Sequence, residues 1–458
     1  MIYTPHMNKN EIIDYVKNHT AQKVKVAVTD IDGILRGKYV STEKFLGIIE
    51  SDFGFCDVVM GWDCNDVAYD NANYTGWHTG YPDAKAVIDL STFRKIPWEN
   101  DLPFFLGELI TNDNQPLKID PRQLLKKVIN DCEQAGFKAV FSQEFEWFNF
   151  EETPQSAAAK NYANMQPLTP GMFGYSILRS TLRNDFFTDL FDLLQKFDVP
   201  IEGLHTETGP GVYEAAIRYG NILASADRAT LFKTATKEIA YKNGILATFM
   251  AKISENLPGC SGHVHQSLWD INETTNLFYD EKEANNMSDL MKHYIAGQLH
   301  CLPLLLPMIA PTINSYKRLV EGAWAPTTVT WAVDNRTVAL RALPLSKKAA
   351  RLETRVVGSD TNPYLAMAAC LAAGLYGMKN KLPLTQPATV GNGYRDESNG
   401  RFPNSLEKAT AIMKNSAVAK ELLGEEFVQH FTQTREWEHR QFANKVTDWE
   451  MKRYFEII

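Results

Sequence analysis

Cysteine is scarce in this chain: six in 458 residues, at Cys56, Cys64, Cys132, Cys260, Cys301 and Cys370, with no CxxC pair. That spacing excludes a zinc ribbon or a thioredoxin-type motif and points to reduced, mostly structural thiols. There is no basic run either, and the formal net charge of -8 leaves no electrostatic footprint for nucleic acid. Long hydrophobic runs are missing. CLPLLLPMIAP is broken by proline and YLAMAACLAAGLYGM is too short to span a bilayer. The opening MIYTPHMNKNEIIDYVKNH lacks the apolar segment of a secretory signal, so a cytoplasmic protein is expected. Neither GxxxxGKS/T nor GxGxxG occurs, so neither a P-loop nor a Rossmann nucleotide site is supported.

What is present fits a water-soluble α+β protein. Hydrophobic residues make up 44% and charged ones 22%, and the length suits two domains better than one. Residues 8–19 have the pattern of a short amphipathic helix, and an N-terminal helical segment is assigned to residues 1–20. Val24, Val26 and Val28 then alternate before a DIDG turn and a returning ILRGKYV, which predicts a hairpin in a small unit over 21–112. TNDNQPLKIDPR is the clearest punctuation that follows, and a second domain is expected over 113–458. There, helices near 117–135, 179–197, 225–243, 287–301, 363–378, 405–423 and 425–440 alternate with strand-like runs. Two of those runs are GILATFMAK and TTVTWAVDNRTVALRAL, the second patterned like an antiparallel meander.

FSQEFEWFNF places Glu144 and Glu146 on one face of a strand, with Phe145 and Trp147 on the other. A solvent-facing strand edge would explain that, and so would a divalent cation, which turns carboxylate repulsion into attraction. LHTETGPGVYEAAIRYG carries Glu207 and Glu214 on either side of a Gly-Pro-Gly turn, either as ordinary loop glutamates or as converging ligands. PGCSGHVHQSL sets His263 and His265 on one strand face. Oxygen-rich surroundings favour magnesium or manganese over zinc. Arg318, Arg336, Arg341, Arg351 and Arg355 accompany Glu353. They serve equally as salt-bridged strands or as guanidinium forks for a polyphosphate. Arg336 and Arg341 differ by five, so a bend must intervene if both converge.

Taken together, DIDGILRGK, QEFEWF, TETGPGVYE, GHVHQSL, NSYKRL, DNRT and RLETRVVGSDTNPYL resemble the glutamine synthetase superfamily in order and spacing, from about residue 20 onward. The resemblance implies an N-terminal β-grasp domain and a C-terminal catalytic domain with an antiparallel sheet and flanking helices. It implies two or three Mg2+ or Mn2+ ions per active site, with ATP as a substrate. Glu146, Glu207 and Glu214 match ligands of a first metal on the glutamate side; Glu144, His263 and Glu353 match those of a second on the ATP phosphates. Arg318 matches the residue holding the substrate α-carboxylate, while Arg336, Arg341 and Arg355 match those around the transferred phosphoryl group. His265 and Ser267 match nucleotide-side positions, shared with Arg336 and Arg341. The family also forms double rings with active sites between subunits, and GWDCNDVAYD offers Asp63 or Asp66 as the group reaching a neighbouring site.

Two departures bear on the substrate. Glutamine synthetases carry sequence like NSYKRLVPGYEAP, whose glutamate lines the ammonium pocket; this chain reads NSYKRLVEGAWAP, with Trp324 at that place. An indole supplies no negative charge and no base, only an apolar face and a weak cation-π attraction. The loop NLPGCSGHVH lacks the usual Asn-Gly-Ser-Gly, with Gly259 in the stretch expected to contact glutamate. An ATP-dependent ligase joining glutamate to an amine through γ-glutamyl phosphate is therefore expected. The alternatives are a true glutamine synthetase using ammonium and a catalytically inactive structural relative.

Overall fold

A computed structural model describes residues 7–458, so the first residues of the 1–20 segment lie outside the described residues. The helical pattern at 8–19 folds as Lys9–Asn18, capped by Asn8, whose side chain accepts N–H groups while Glu11 reaches back. Two sheets follow, one after the other in the chain.

The first sheet runs β2-β1-β6-β4-β3, with β5 on β6. Its strands are β1 (Lys23–Thr29), β2 (Leu35–Ser41), β3 (Phe53–Cys56), β4 (Asp83–Ile88), β5 (Arg94–Ile96) and β6 (Leu102–Ile110). The expected hairpin is β1 against β2, antiparallel from Lys23–Ser41 to Thr29–Leu35. β1 also pairs with β6 in parallel, so it is central. That explains a strand buried on both faces: Val24, Val26 and Val28 pack with Phe105 and Leu109 on one side, while Ala27 joins Phe104, Leu106 and the main core on the other.

The second sheet runs β13-β14-β15-β12-β7-β9-β8, with β10 and β11 on β7. Its strands are β7 (Phe137–Phe150), β8 (Ile201–Thr206), β9 (Val212–Ile217), β10 (Gly220–Asn221), β11 (Leu246–Thr248), β12 (Val264–Asp270), β13 (Trp331–Val333), β14 (Leu340–Leu343) and β15 (Arg351–Thr354). β7 is the axis of the molecule. Its alternation turns Phe145 and Trp147 inward onto Phe232 and Phe249 and leaves Glu144 and Glu146 on the opposite face. One expectation fails here: β13 and β14 run parallel rather than as a meander, because the chain loops between them through Asp334 at φ 47°. Arg336 sits in that loop and Arg341 on β14, so the bend required between them is this connection. GILATFMAK is strand only over Leu246–Thr248, after which Phe249 turns into the core.

Behind the sheet, the apolar helix Pro363–Lys379 is buried along most of its length and packs against Asp289–Leu305. The axes approach closely because glycines face each other; a Cβ on Gly377 would lie 2.1 Å from the His293 carbonyl. Among the described residues no helix is long and apolar enough to cross a membrane.

The seam between the sheets is polar and buried. Arg122, 2% exposed, donates to Asp227 at 2.9 Å, Glu108 at 2.7 Å and Asp89 at 2.8 Å, and the Tyr364 hydroxyl donates to Asp227. Removing the cation would leave Asp227 and Asp89 without this ion pair and Glu108 with Lys126 alone. Arg122→Met is therefore expected to cost about 3–5 kcal/mol, lowering Tm by roughly 3–5 °C at about 2 cal/mol/K of unfolding entropy per residue. Differential scanning calorimetry tests it, and an unchanged Tm would contradict this account of the seam.

Candidate active site

The register of the second sheet explains how dispersed acids meet. Glu146 on β7 stands directly opposite Glu214 on β9, and Glu214 opposite His205 on β8, so one row crosses three strands. A second row runs from Arg341 on β14 through Glu353 on β15 to His265 on β12. Glu144, two residues before Glu146, lies between the rows, its backbone N–H bonded to the His263 carbonyl. Like charges placed opposite each other destabilise a sheet, so the Glu146–Glu214 row needs compensation, whereas the second row alternates in sign.

On the phosphate side, His263 Nδ1 is 2.8 Å from Glu144 and 3.3 Å from Glu353. His265 Nε2 is 3.3 Å from Glu144 Oε2, and donor atoms of Glu144, His265 and Glu353 all lie within 4.8 Å of one another. Glu353 is 1% exposed, paired with Arg355 and, at 3.0 Å, with Arg341. Arg351 Nε donates to His265 Nδ1 at 3.3 Å. Burial opposes ionisation of Glu144, yet His265 and His263 hold it well below the ordinary range; Arg355 and His263 also lower that of buried Glu353.

On the other side, His205, Glu207 and Glu214 form a second group of donors within 4.8 Å. Burial and the charges of Glu144, Glu146, Glu207 and Glu353 push the Glu214 carboxyl up to about 10. Repulsion here is relieved by a proton. The fit to divalent cations rests on that frustrated cluster and on His263 Nε2, which is buried without a hydrogen-bond partner. A hard O-rich set with imidazole suits magnesium or manganese.

The remaining expected residues are placed as follows. Arg318, 3% exposed, spends two donors on the carbonyls of Val356 and Arg355. Gly259 packs against it so closely that a Cβ would lie 2.7 Å from its side chain, which requires glycine. Arg336 is exposed and its charge reaches Tyr175. Ser267 accepts from Trp269 Nε1 at 3.0 Å. Trp324 is 58% exposed and holds φ 58°, a left-handed conformation costing a bulky residue about 1–2 kcal/mol. Asp63 and Asp66 are not brought to the cluster. Asp63 Oδ1 caps its own loop through the N–H groups of Asn65 and Val67, and Asp66 pairs with Arg36.

Several residues of the site were not anticipated. His205 was visible as the H of an H-x-E alternation ending at Glu207. Trp269 continues the His263, His265, Ser267 periodicity of two and opens onto a cavity of about 680 Å3 lined also by Tyr219, Tyr279, Lys347 and Lys348. Tyr394, 5% exposed, lies within electrostatic reach of Arg355, Arg318 and Glu321; only tertiary structure brings it there.

The Glu214 proton yields a prediction with a definite sign. A cation must displace it, so affinity for Mn2+ is expected to rise with pH across neutrality, with about one proton released per filled site. Calorimetry in buffers of different ionisation enthalpy measures that number. The metal-free protein behaves conversely: its folded carboxyl keeps its proton up to about 10 against an ordinary 4.5, so this contribution to stability is present below 4.5 and lost as pH rises toward 10. Zero proton release would contradict both.

Carboxylates and histidines converging on cation sites, ringed by arginines and bordered by an aromatic cavity, define a metal-dependent enzyme that handles phosphate. Comparison with known proteins agrees: the family described as "Glutamine synthetase, catalytic domain" matches residues 118–454. A type-1 glutamine synthetase 2 of Dictyostelium discoideum is 55% identical over 99% of this chain and 87% of its own length. A glutamate–isopropylamine ligase of a Pseudomonas species is 36% identical over 98% of this chain and 99% of its own length. A solved structure titled as a GmaS/ADP complex shares the fold at a TM-score of 0.84 and 23% identity, covering 97% of this chain and 99% of that one. The chain belongs to the glutamine synthetase family, whose members are ATP-dependent carbon-nitrogen ligases that use divalent metals.

Proposed function

We propose that this enzyme joins an amine to the γ-carboxylate of glutamate by way of γ-glutamyl phosphate. The observation that carries the reading is the acceptor end of the site. Trp324 stands where ammonium would need a carboxylate, and the nearby Glu321 is exposed and lies 3.7 Å from Arg395. An indole wall favours an alkyl group over a bare ammonium ion.

In this reading a γ-carboxylate oxygen of glutamate attacks the terminal phosphorus of ATP, the bond to the bridging oxygen breaks and ADP leaves. The amine lone pair then attacks the acyl carbon, phosphate departs with the carbon-oxygen bonding pair, and the nitrogen gives up a proton. Arg341 and Arg355, braced by Glu353, and the exposed Arg336 offset charge on the moving phosphoryl group. Arg318 keeps three of its five N–H donors for the substrate carboxylate. Gly259 holds the adjoining loop against Arg318, and the aromatic cavity beyond His265 and Ser267 receives the base of the nucleotide. Glu144, Glu353, His263 and His265 would hold the phosphate-side cation, and Glu146, Glu207 and Glu214 line the glutamate side. Bound Mg2+ or Mn2+, two or three per site, would supply charge neutralisation of the polyphosphate and of the activated carboxyl.

The proposal extends to architecture: a β-grasp domain over 21–112, a catalytic domain over 113–458, and a cytoplasmic double ring in which Asp63 or Asp66 serves the adjoining subunit. Neither acid is tied to its own chain's cluster, which supports that role. A second reading, ammonium as acceptor, is favoured by the name of the 55% identical relative. A structural, inactive role is disfavoured by retention of the expected acids, His263 and all four arginines. Phosphate release dependent on ATP and glutamate, run with ammonium against a panel of primary amines and with product mass recorded, separates them. Amine-dependent release exceeding that with ammonium is expected; turnover with ammonium alone would overturn the amine reading.

A further inference from the structure

Arg318 stands at the end of Ser315–Arg318, a helix of a single turn. One turn does not hold itself, because fixing its backbone costs more than its first hydrogen bond returns. The ordinary cap is missing as well. Asn314 spends its side chain on the backbone N–H and carbonyl of Lys252, each at 2.8 Å, and caps nothing. The turn must be held from outside.

The outside support is Asp360, in the loop after β15. The Thr312 hydroxyl oxygen accepts the Ser315 N–H at 3.0 Å, and the Ser315 oxygen accepts the Thr312 N–H at 2.9 Å, which leaves each hydroxyl its own proton to donate. Both protons go to Asp360 Oδ2, at 2.8 Å from Thr312 and 2.6 Å from Ser315. Asp360 Oδ1 lies where a Cβ on Gly358 would come within 2.4 Å, so the glycine of GSD leaves room for this carboxylate. The same loop receives the far end of the arginine, whose donors meet the Val356 and Arg355 carbonyls at 3.0 and 3.1 Å. That loop is itself stapled: the Gly262 N–H reaches the Val357 carbonyl at 3.0 Å, and the Ser359 hydroxyl donates to the Glu146 carbonyl at 2.6 Å. Root and tip of Arg318 are thus referenced to one fixed segment. Charge acts in the same sense. Burial pushes the Arg318 guanidinium down from its ordinary range, the negative charges of Glu146 and Asp360 oppose that, and Arg355 adds to it.

We propose that Asp360 is a positioning residue for the acyl substrate: through Thr312 and Ser315 it fixes the turn from which Arg318 meets the α-carboxylate, and so sets the preference for glutamate over an acid lacking that group. The inference rests on the γ-glutamyl ligase reading and deepens it.

The test uses the full-length enzyme with ATP and hydroxylamine, so that hydroxamate formation does not depend on the natural amine. Asp360→Ala is expected to raise KM for glutamate by about 10- to 100-fold and leave kcat within about threefold, because a displaced Arg318 weakens ground state and transition state alike. KM for ATP should not move. γ-Aminobutyrate, which is glutamate without its α-carboxylate, supplies the control: its kcat/KM should be unchanged, so the preference for glutamate falls by the same factor. Asp360→Asn still offers an oxygen to both hydroxyls and should restore KM to within about threefold of wild type. Adding Asp360→Ala to Arg318→Met should cost nothing more, since one acts through the other. A merely structural aspartate would lower Tm and leave KM for glutamate in place; that result, or an equal loss for both acids, would overturn the assignment. If Asp360→Ala does not fold, Thr312→Val and Ser315→Ala each remove one of the two hydrogen bonds and carry the same expectation at smaller size. Wild type that makes no hydroxamate from glutamate would remove the ligase reading along with the inference, whereas an unmoved KM in an active Asp360→Ala enzyme removes the inference alone.

Discussion

Replacing Glu353 by glutamine is expected to lower kcat by roughly 10³-fold, more than any other single isosteric change in the site. The reason is the number of groups that this one carboxylate balances. His263 lies 3.3 Å away, Arg341 3.0 Å, and Arg355 closer still, and the side chain is 1% exposed, so no water can take over. An amide keeps the shape but loses the charge. Arg341 and Arg355 would then be free to bind nucleotide phosphate too early and in the wrong place, while the cation on the phosphate side would lose an anionic donor. The expected signature is threefold: phosphate release nearly abolished, phosphate-side Mn2+ affinity reduced in calorimetry, and Tm lowered by removal of a buried charge between two cations. Glu353→Asp, which retains charge at shorter reach, should recover part of the Tm and little of the kcat. A Glu353→Gln enzyme within tenfold of wild type would mean that the row Arg341–Glu353–His265 is structural only.

How much of this could be read from residues alone follows the range of each interaction. The alternation in FSQEFEWFNF placed Glu144 and Glu146 on one face and the aromatics on the other, because side-chain direction in a strand is local. The hairpin at β1 and β2 and the long helices were legible for the same reason. The parallel pairing of β13 and β14 was not, since it depends on how a connection through Asp334 closes in space. In the site, the acids and the histidine pair were visible, yet their partners depended on register. Nothing in the sequence states that Glu146 faces Glu214 or that Ser261 reaches Glu146. His205, read alone, is indistinguishable from any strand histidine; only its place beside Glu214 across β8 and β9 makes it a donor. Cross-strand neighbours are set by long-range pairing, which is where pattern reading ends.

The acceptor end carries the other large effect. Trp324→Glu is expected to exchange preference from alkyl amine to ammonium. A buried methylene is worth about 0.8 kcal/mol, so a three-carbon amine held on the indole gains roughly 2 kcal/mol, about 30-fold in kcat/KM, and forfeits it when the ring is removed. The new carboxylate would attract ammonium and could accept its proton, raising kcat/KM for that acceptor by roughly 10–100-fold. The loop should tolerate the change: Trp324 is 58% exposed and already strained at φ 58°, with Gly322 at φ 79° beside it, so removing the indole leaves no internal cavity. Measuring both acceptors at saturating ATP and glutamate separates binding from chemistry, because Arg318, Arg341 and Arg355 are untouched and acyl phosphate formation should proceed as before. Hydroxylamine, a small nucleophile that needs no apolar wall, should give hydroxamate at similar rates in both proteins. If Trp324→Glu leaves the amine-to-ammonium ratio unchanged, the indole does not face the acceptor. Specificity would then have to come from the buried Tyr394, whose hydroxyl meets the Trp324 backbone and lies within reach of the Arg318 and Arg355 charges.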